Sequence, residues 1–185
     1  DVDDKGELNL GQARELIGPR TRVVSITQMS NVLGTINPIA EIAEISHKVG
    51  ALLVVDGAQS VPHLPVDVQE LGADFLAFSA HKMLGPTGVG VLWGRREILE
   101  DLDPFLGGGE MISTVSQEES TWAALPHKFE AGTPNIAGAL GLAVALDYLT
   151  ALGLEWVAAH ERDLLAYGSE ALSQVPGLYL TGTAP

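Results

Sequence analysis

Lys82 lies in the segment Ser79-Ala80-His81-Lys82-Met83-Leu84-Gly85-Pro86-Thr87-Gly88, directly after the apolar run Phe75-Leu76-Ala77-Phe78. A lysine that ends a buried strand, with small residues before it and glycines after it, is a poor solubility residue. Its primary amine, kept partly neutral by a dry surrounding, would condense with an aldehyde cofactor to form a Schiff base. Lysine is also scarce in this chain, so a surface-loop reading of Lys82 is the weaker one.

A second apolar run, Leu52-Leu53-Val54-Val55, ends in Asp56-Gly57-Ala58-Gln59. Taken alone, Asp56 reads as an N-cap or a turn former in Asp-Gly. Paired with Lys82 it reads as the carboxylate that keeps a pyridinium nitrogen protonated, so that the ring accepts electrons from a carbanion at a substrate Cα. A lysine and an aspartate at the ends of neighbouring strands are what pyridoxal phosphate (PLP) requires.

The remaining candidates gather around this pair. Ligands of open α/β sheets bind at the carboxyl ends of the strands, and Asp56, Gln59, Ser79, His81 and Lys82 all fall at or just after such ends. Ser79 and His81 are candidate phosphate donors, against a local turn hydrogen bond for Ser79. Thr133, in Glu130-Ala131-Gly132-Thr133-Pro134-Asn135, is either a helix N-cap with Pro134 at the first helical position or a hydroxyl at a helix N-terminal phosphate site. Asn31, after Gln28-Met29-Ser30, is a carboxylate binder or a turn residue. His63, His127 and His160 are isolated and read as structural or exposed, and no histidine pair has metal-ligand spacing. Gly107-Gly108-Gly109 lacks the Lys-Ser/Thr of a nucleotide-phosphate loop, and no Gly-x-Gly-x-x-Gly follows a first strand.

Alternating elements must position these groups. The pattern predicts a helix over 8–17 closed by Gly18-Pro19, a strand over 21–28 and a turn region over 31–37. It then predicts a helix from Pro38 to Val49 with Ile39, Ile42, Ile45 and Val49 on one face, and Gly50 as its stop. Strands come next over 51–56, 74–78 and 89–93, the last reached through a tight Gly-Pro-Thr-Gly loop that allows an antiparallel return, with a short helix over 67–71 and a helical turn over 97–101. Residues 107–111 read as a flexible linker and 112–129 as polar and irregular. Two helices, from Pro134-Asn135 to about 152 and over 154–175, precede a short strand at 178–181. Strands that are apolar straight through and alternate with helices imply a mostly parallel sheet flanked by helices, an α/β fold.

The 185 residues suffice for one domain with a sizeable core, and two compact domains would be a squeeze. Apolar residues make up 46% and charged residues 18%, a folded composition. Asp and Glu outnumber Lys and Arg 24 to 10, a net charge of −14 that disfavours nucleic acid and anionic membrane surfaces as partners. There is no cysteine, which fits a reducing compartment. The longest apolar segment, around Ala137 to Leu146, is too short to span a bilayer. Asp1-Val2-Asp3-Asp4-Lys5 is not a signal peptide. These readings point to a cytoplasmic location.

Asp56-Gly57-Ala58-Gln59 followed by Ser79-Ala80-His81-Lys82 resembles the class V aminotransferase group of fold-type I PLP enzymes. Gln28-Met29-Ser30-Asn31-Val32-Leu33-Gly34, Gly107-Gly108-Gly109-Glu110-Met111-Ile112 and Phe129-Glu130-Ala131-Gly132-Thr133-Pro134 narrow the resemblance to the SUF-type (group II) cysteine desulfurases. It covers essentially the whole chain. It implies that Lys82 holds PLP covalently and later moves protons at the substrate Cα, that Asp56 pairs with the pyridine nitrogen and that Gln59 contacts the ring hydroxyl oxygen. It further implies that Ser79 and His81 bind the phosphate, that Asn31 helps hold the substrate carboxylate, and that Thr133 reaches the phosphate of a neighbouring subunit's cofactor, making a homodimer. The implied substrate is L-cysteine or selenocysteine, and the implied product route is alanine plus an enzyme persulfide that supplies a SUF-type sulfur acceptor for iron–sulfur cluster assembly.

Members of that group are considerably longer. They carry a ring-stacking histidine and phosphate-binding residues upstream, and a nucleophilic cysteine and a carboxylate-binding arginine in a smaller C-terminal domain. The chain is therefore expected to be the central part of the large domain over 1–185, an incomplete fold-type I sheet, with the small domain starting near 175–185. The alternatives are another class V reaction, such as transamination or epimerisation, and an inactive folded fragment.

Overall fold

The computed structural model describes residues 1–182. Its elements run in the order α1 (Leu10–Leu16), β1 (Val23–Thr27), α2 (Ile39–Lys48), β2 (Leu52–Asp56), α3 (Val68–Leu71), β3 (Phe75–Ser79), β4 (Gly90–Gly94), α4 (Arg96–Asp101), β5 (Ile112–Val115), β6 (Ser120–Trp122), α5 (Ile136–Leu152) and α6 (Leu154–Ser173). The main sheet has the order β1-β2-β3-β4. β1, β2 and β3 are parallel, joined by crossovers through α2 and α3, and β4 returns antiparallel beside β3. The chain is thus α/β, with a mostly parallel sheet and flanking helices.

The core obeys the two periodicities. Leu53 and Val55 alternate along β2 onto one face, where they meet Ile39, Ile42 and Ala43 of α2, with Leu76 of β3 completing the cluster. Each fully buried Ile, Leu or Val of this layer contributes about 1.5–3 kcal/mol. Pro38 is the N-cap of α2 rather than its first helical residue. The helix ends one residue before Val49, and Gly50 at φ +76° turns the chain into β2. Ser46 is the polar exception on the buried face, and its Oγ donates to the Ile42 carbonyl at 2.7 Å.

A second cluster joins Ala80 and Met83, on either side of Lys82, to Leu142 and Leu149 of α5. Gly138 lets the helix come this close, because a Cβ there would stand 2.2 Å from Val89 Cγ2. α5 and α6 meet at Gly153 with a bend of 73°. No single helix among the described residues is long and apolar enough to cross a membrane.

At the amino end of β3, Asp74 is 1% exposed and ties three elements together. It accepts the Leu53 amide at 2.7 Å, lies 2.8 Å from His47 Nε2 at the end of α2, and accepts from Arg95 Nη1 at 3.0 Å. Burial pushes its carboxyl pKa up, but the Leu53 amide, His47 and Arg95 outweigh that and hold it below the ordinary carboxylate value.

Three sequence expectations differ from the fold. Residues 112–129 are not wholly irregular: β5 and β6 form an antiparallel hairpin, with Ile112 opposite Trp122. The Gly107–Gly109 linker is docked, since the Gly132 amide donates to the Gly109 carbonyl at 2.9 Å. The predicted strand at 178–181 does not form; Tyr179 there is 90% exposed, and no strand runs beside it among the described residues. The small-domain start expected near 175–185 lies partly outside the described residues.

Candidate functional site

Thr27, Asp56 and Ala77 are register partners across β1, β2 and β3, so β1 and β2 end level with one another and β3 runs two residues further, to Ser79. The segments leaving these strands therefore meet at one edge of the sheet: Gln28 and the loop to Ile36, the turn from Gly57, and the stretch Ser79 to Lys82.

After β2, the chain turns sharply. The Gly57 amide donates to the Ala77 carbonyl at 2.8 Å, and a Cβ on Gly57 would press on Leu76 Cδ1 at 2.9 Å. Asp56 is exposed, and its Oδ1 accepts the Ala58 amide at 2.9 Å, a local bond that orients the carboxylate. Gln59 is half-buried and Ser60 fully buried.

After β3, Ser79 is the last strand residue, paired with Gly90 of β4. Ala80–Lys82 make one 3-10 turn. Ala80 anchors it: its amide donates to the Val89 carbonyl at 3.0 Å, and its carbonyl accepts from Met83 at 3.0 Å and Gly85 at 2.9 Å. Ala80 and Met83 are buried, whereas His81 and Lys82 between them are exposed. The sequence places Lys82 in a dry setting; the structure instead buries its backbone neighbours and leaves the amine in solvent, because no element closes over this edge of the sheet among the described residues. Leu84 adopts φ +65°, a left-handed conformation costing a non-glycine residue about 1–2 kcal/mol. The tight packing of Ala80 against Gly85 holds it there.

Asn31 is exposed in a loop closed by the Met29–Ile36 bridge. Ser30 Oγ accepts the amides of Val32 and Leu33 at 3.2 Å each, which shapes the turn carrying Asn31. Thr133 is exposed and is not the N-cap of α5. That role belongs to Asn135, whose Oδ1 accepts from Gly138 and whose Nδ2 donates to the Gly88 carbonyl at 3.3 Å. Thr133 is therefore spared capping. His63 is not isolated, since its Nδ1 lies 2.7 Å from Glu161 Oε1 of α6, and His160 stacks on Trp156.

Two buried residues were not legible in the sequence. Ser60 Oγ donates to Gln28 Oε1 at 2.6 Å, with Ser60 fully buried and Gln28 6% exposed. Gln28 ends a β-branched run and Ser60 comes after Gln59 in a turn; neither has a local signal of burial.

The side chains of Gln59, Ser79, His81 and Lys82 make no hydrogen bond to any described residue, and Asp56 keeps Oδ2 free of one. Acceptor, amide, hydroxyl, imidazole and amine thus collect on one edge with their hydrogen-bonding capacity unspent. This donor set suits a small molecule with a ring nitrogen, a carbonyl carbon and an anionic group, the chemistry of PLP. Among the described residues no group of three His, Cys, Asp or Glu converges as a metal site. A cleft of about 620 Å³ lies elsewhere, beside β4 and α4, and is lined mainly by apolar side chains such as Leu92, Leu99, Phe105 and Phe129. Its lining holds two charged side chains, Arg96 and Glu130, fewer polar groups than the strand ends collect, so the strand-end cluster is the better candidate.

The family model for class-V aminotransferases matches residues 1–185. The chain is 54% identical over 181 residues to a probable cysteine desulfurase of Streptomyces coelicolor, covering 98% of this chain and 43% of that protein. The crystal structure of the cysteine desulfurase CsdA from Escherichia coli superposes with a TM-score of 0.91 at 42% identity, over 95% of this chain and 44% of that one. A structure of C-DES with glycine covalently linked to its PLP cofactor superposes with a TM-score of 0.82 at 28% identity, over 97% of this chain and 49% of that one. The chain thus spans less than half the length of each of these proteins.

Proposed function

This chain belongs to the class-V aminotransferase family, and on that footing we propose that it is the central part of the large domain of a PLP-dependent cysteine desulfurase. The small domain begins near 175–185 in this reading. The single observation that carries it is the strand-end cluster, in which Asp56 and Lys82 stand at the ends of adjacent strands with Gln59, Ser79 and His81 around them. The 54% identity to a probable cysteine desulfurase supports the choice among class V chemistries.

PLP, when bound, supplies an electrophilic carbon and a ring that accepts electrons from the substrate Cα. Lys82 holds the cofactor through Nζ and, once released from it, carries the proton to and from the substrate Cα. Asp56 accepts the ring N–H and keeps that nitrogen protonated. Gln59 donates to the ring hydroxyl oxygen, and Ser79 and His81 donate to the phosphate. Asn31 donates to the substrate carboxylate from the loop after β1. Thr133, exposed and free of the capping role, serves the phosphate of a second copy, so the enzyme works as a homodimer.

The substrate is L-cysteine, with selenocysteine a second candidate. Its Cβ–S bond breaks, the sulfur passes to an enzyme cysteine as a persulfide, and alanine leaves. That cysteine lies outside these 185 residues, which contain none. A SUF-type acceptor then takes the sulfur toward iron–sulfur cluster assembly.

The test uses the full-length protein loaded with PLP. Borohydride reduction and peptide mapping should place the cofactor on Lys82, and cysteine should yield alanine. Lys82→Ala should lose both. Trapping at another residue, or alanine release undiminished in Lys82→Ala, would overturn the assignment.

A further inference from the structure

Gln28 and Ser60 are 32 residues apart in sequence, and neither is among the groups assigned to cofactor or substrate. Their side chains meet in a buried bond of 2.6 Å, one of the few polar contacts in the interior. The backbone around Gln28 is equally committed. Its amide donates to the Asp56 carbonyl at 2.9 Å, and its carbonyl accepts from Asn37 at 2.8 Å. Asn37 Nδ2 in turn donates to the Thr27 carbonyl at 2.8 Å.

Ser60 is the matching anchor on the other side. Its carbonyl accepts the amides of His63 at 3.0 Å and Leu64 at 2.8 Å, which closes the turn that follows, while the Val61 amide donates to the Gly57 carbonyl at 3.0 Å and closes the turn carrying Gln59. One side-chain hydrogen bond therefore adds to the backbone bond between Gln28 and Asp56 in connecting the root of the Asn31 loop to the turn that displays Asp56 and Gln59. Bracketed at Gln28 N–H to Asp56 O and again at Ser60 Oγ to Gln28 Oε1, the stretch from Asp56 to Ser60 is held relative to β1 at both ends.

We propose that Gln28 and Ser60 are positioning residues that set the ring-binding turn against the substrate loop, so that cofactor and substrate are aligned by one buried contact. This role rests on the strand-end cluster being a PLP site. It assigns no contact with the cofactor to either residue. Their effect is transmitted through Asp56 and Gln59 on one side and Asn31 on the other. A buried polar group that loses its partner shifts rather than waits, because leaving it unsatisfied costs about 1–3 kcal/mol. Exposed Asp56 and half-buried Gln59 are the side chains that such a shift of the turn would displace.

The experiment uses full-length protein as Ser60→Ala, as Gln28→Met and as the double variant. PLP affinity is measured by titrating the apo-protein, the bound cofactor by visible circular dichroism, and turnover as kcat and KM for cysteine. Each single variant should raise the PLP Kd about tenfold. Each should also change the dichroism of the bound cofactor, and the double variant should add little to either. KM should rise along with the loss of kcat, because the substrate loop shares the anchor. If PLP affinity and dichroism are unchanged while apo-protein melting falls, the pair is merely structural and the inference is wrong. Strictly additive effects on affinity would also overturn it. Should Ser60→Ala not fold, Gln28→Met, which keeps the volume, carries the same readouts; failure of both to fold would make the pair structural. Wild-type protein that takes no PLP at Lys82 sinks the functional reading, whereas wild-type binding matched by the variants sinks only this inference.

Discussion

Asp74 accepts the Leu53 amide at 2.7 Å in the interior, at the opposite end of the sheet from Lys82. This carboxylate replaces a ladder partner for a core strand, so its loss leaves a buried N–H without an acceptor. Asp74→Ala should lower stability by about 1–3 kcal/mol. Urea unfolding should show the midpoint falling with little change in slope. His47 and Arg95 are 40% and 47% exposed, so water takes over their share and the loss stays in that range. A destabilisation below a few tenths of a kcal/mol would show that the Leu53 amide finds another acceptor.

The same group sets a pH dependence. Burial raises the Asp74 carboxyl pKa, but the Leu53 amide, His47 and Arg95 together hold it below its ordinary value. A depressed native pKa means the unfolded chain takes up the proton first as pH falls. The stabilisation is therefore complete above the unfolded value of about 4 and is lost as pH falls through the native one. Denaturant midpoints tracked from about pH 6 down to about pH 3 should drop in the wild type. Asp74→Asn, which cannot titrate, should start lower and show a shallower acid limb. An acid limb of equal slope in both proteins would assign the effect to other carboxylates.

The parallel core was legible because its residues obey simple periods. Leu52–Asp56 and Phe75–Ser79 are almost wholly apolar, and strands covered on both faces read that way. α2 is marked by Ile39, Ile42 and Ile45 before Gly50. The strand-end positions of Asp56 and Lys82 come directly from these runs. The β5–β6 hairpin escaped because Ser120–Trp122 is three residues long and Ile112–Val115 is largely exposed, so neither carries an apolar alternation. Gln28, Ser60 and Asp74 escaped for a different reason. Each is a polar residue buried by tertiary packing, and a partner 21 or 32 residues away leaves no local trace. Thr133 looks like a cap because Pro134 is next to it, yet Asn135, two residues on, has the side chain that reaches the Gly138 amide.

Gly138 offers a test of how closely α5 controls the lysine loop. Alanine is the better helix former by about 1 kcal/mol. Here its Cβ would meet Val89 Cγ2 at 2.2 Å and Asn135 Nδ2 at 2.6 Å. Overpacking costs about 1–3 kcal/mol and should outweigh the helix preference. Gly138→Ala should lower the melting temperature and also slow PLP incorporation at Lys82, since Val89 receives the Ala80 amide that anchors the turn. A more stable protein with unchanged incorporation would mean that the loop and helix move apart freely.

Asp56→Ala separates electrostatic work from folding. The side chain is exposed and makes one local bond, to the Ala58 amide at 2.9 Å. Surface changes of that kind stay within about 0.5 kcal/mol, so melting should hardly move. The proposed role is different in kind: the carboxylate keeps a ring nitrogen protonated, and a neutral methyl cannot. Removing one preorganised electrostatic partner costs about 10²–10³-fold in rate, and turnover of cysteine should fall by that factor. Borohydride should still trap cofactor on Lys82, because the amine that forms the bond is untouched. Asp56→Asn should fall almost as far, since an amide fills the space without holding the proton. Turnover within about threefold of wild type in Asp56→Asn would show that shape rather than charge is what the position supplies, and the pairing of Asp56 with Lys82 would then lose its chemical basis.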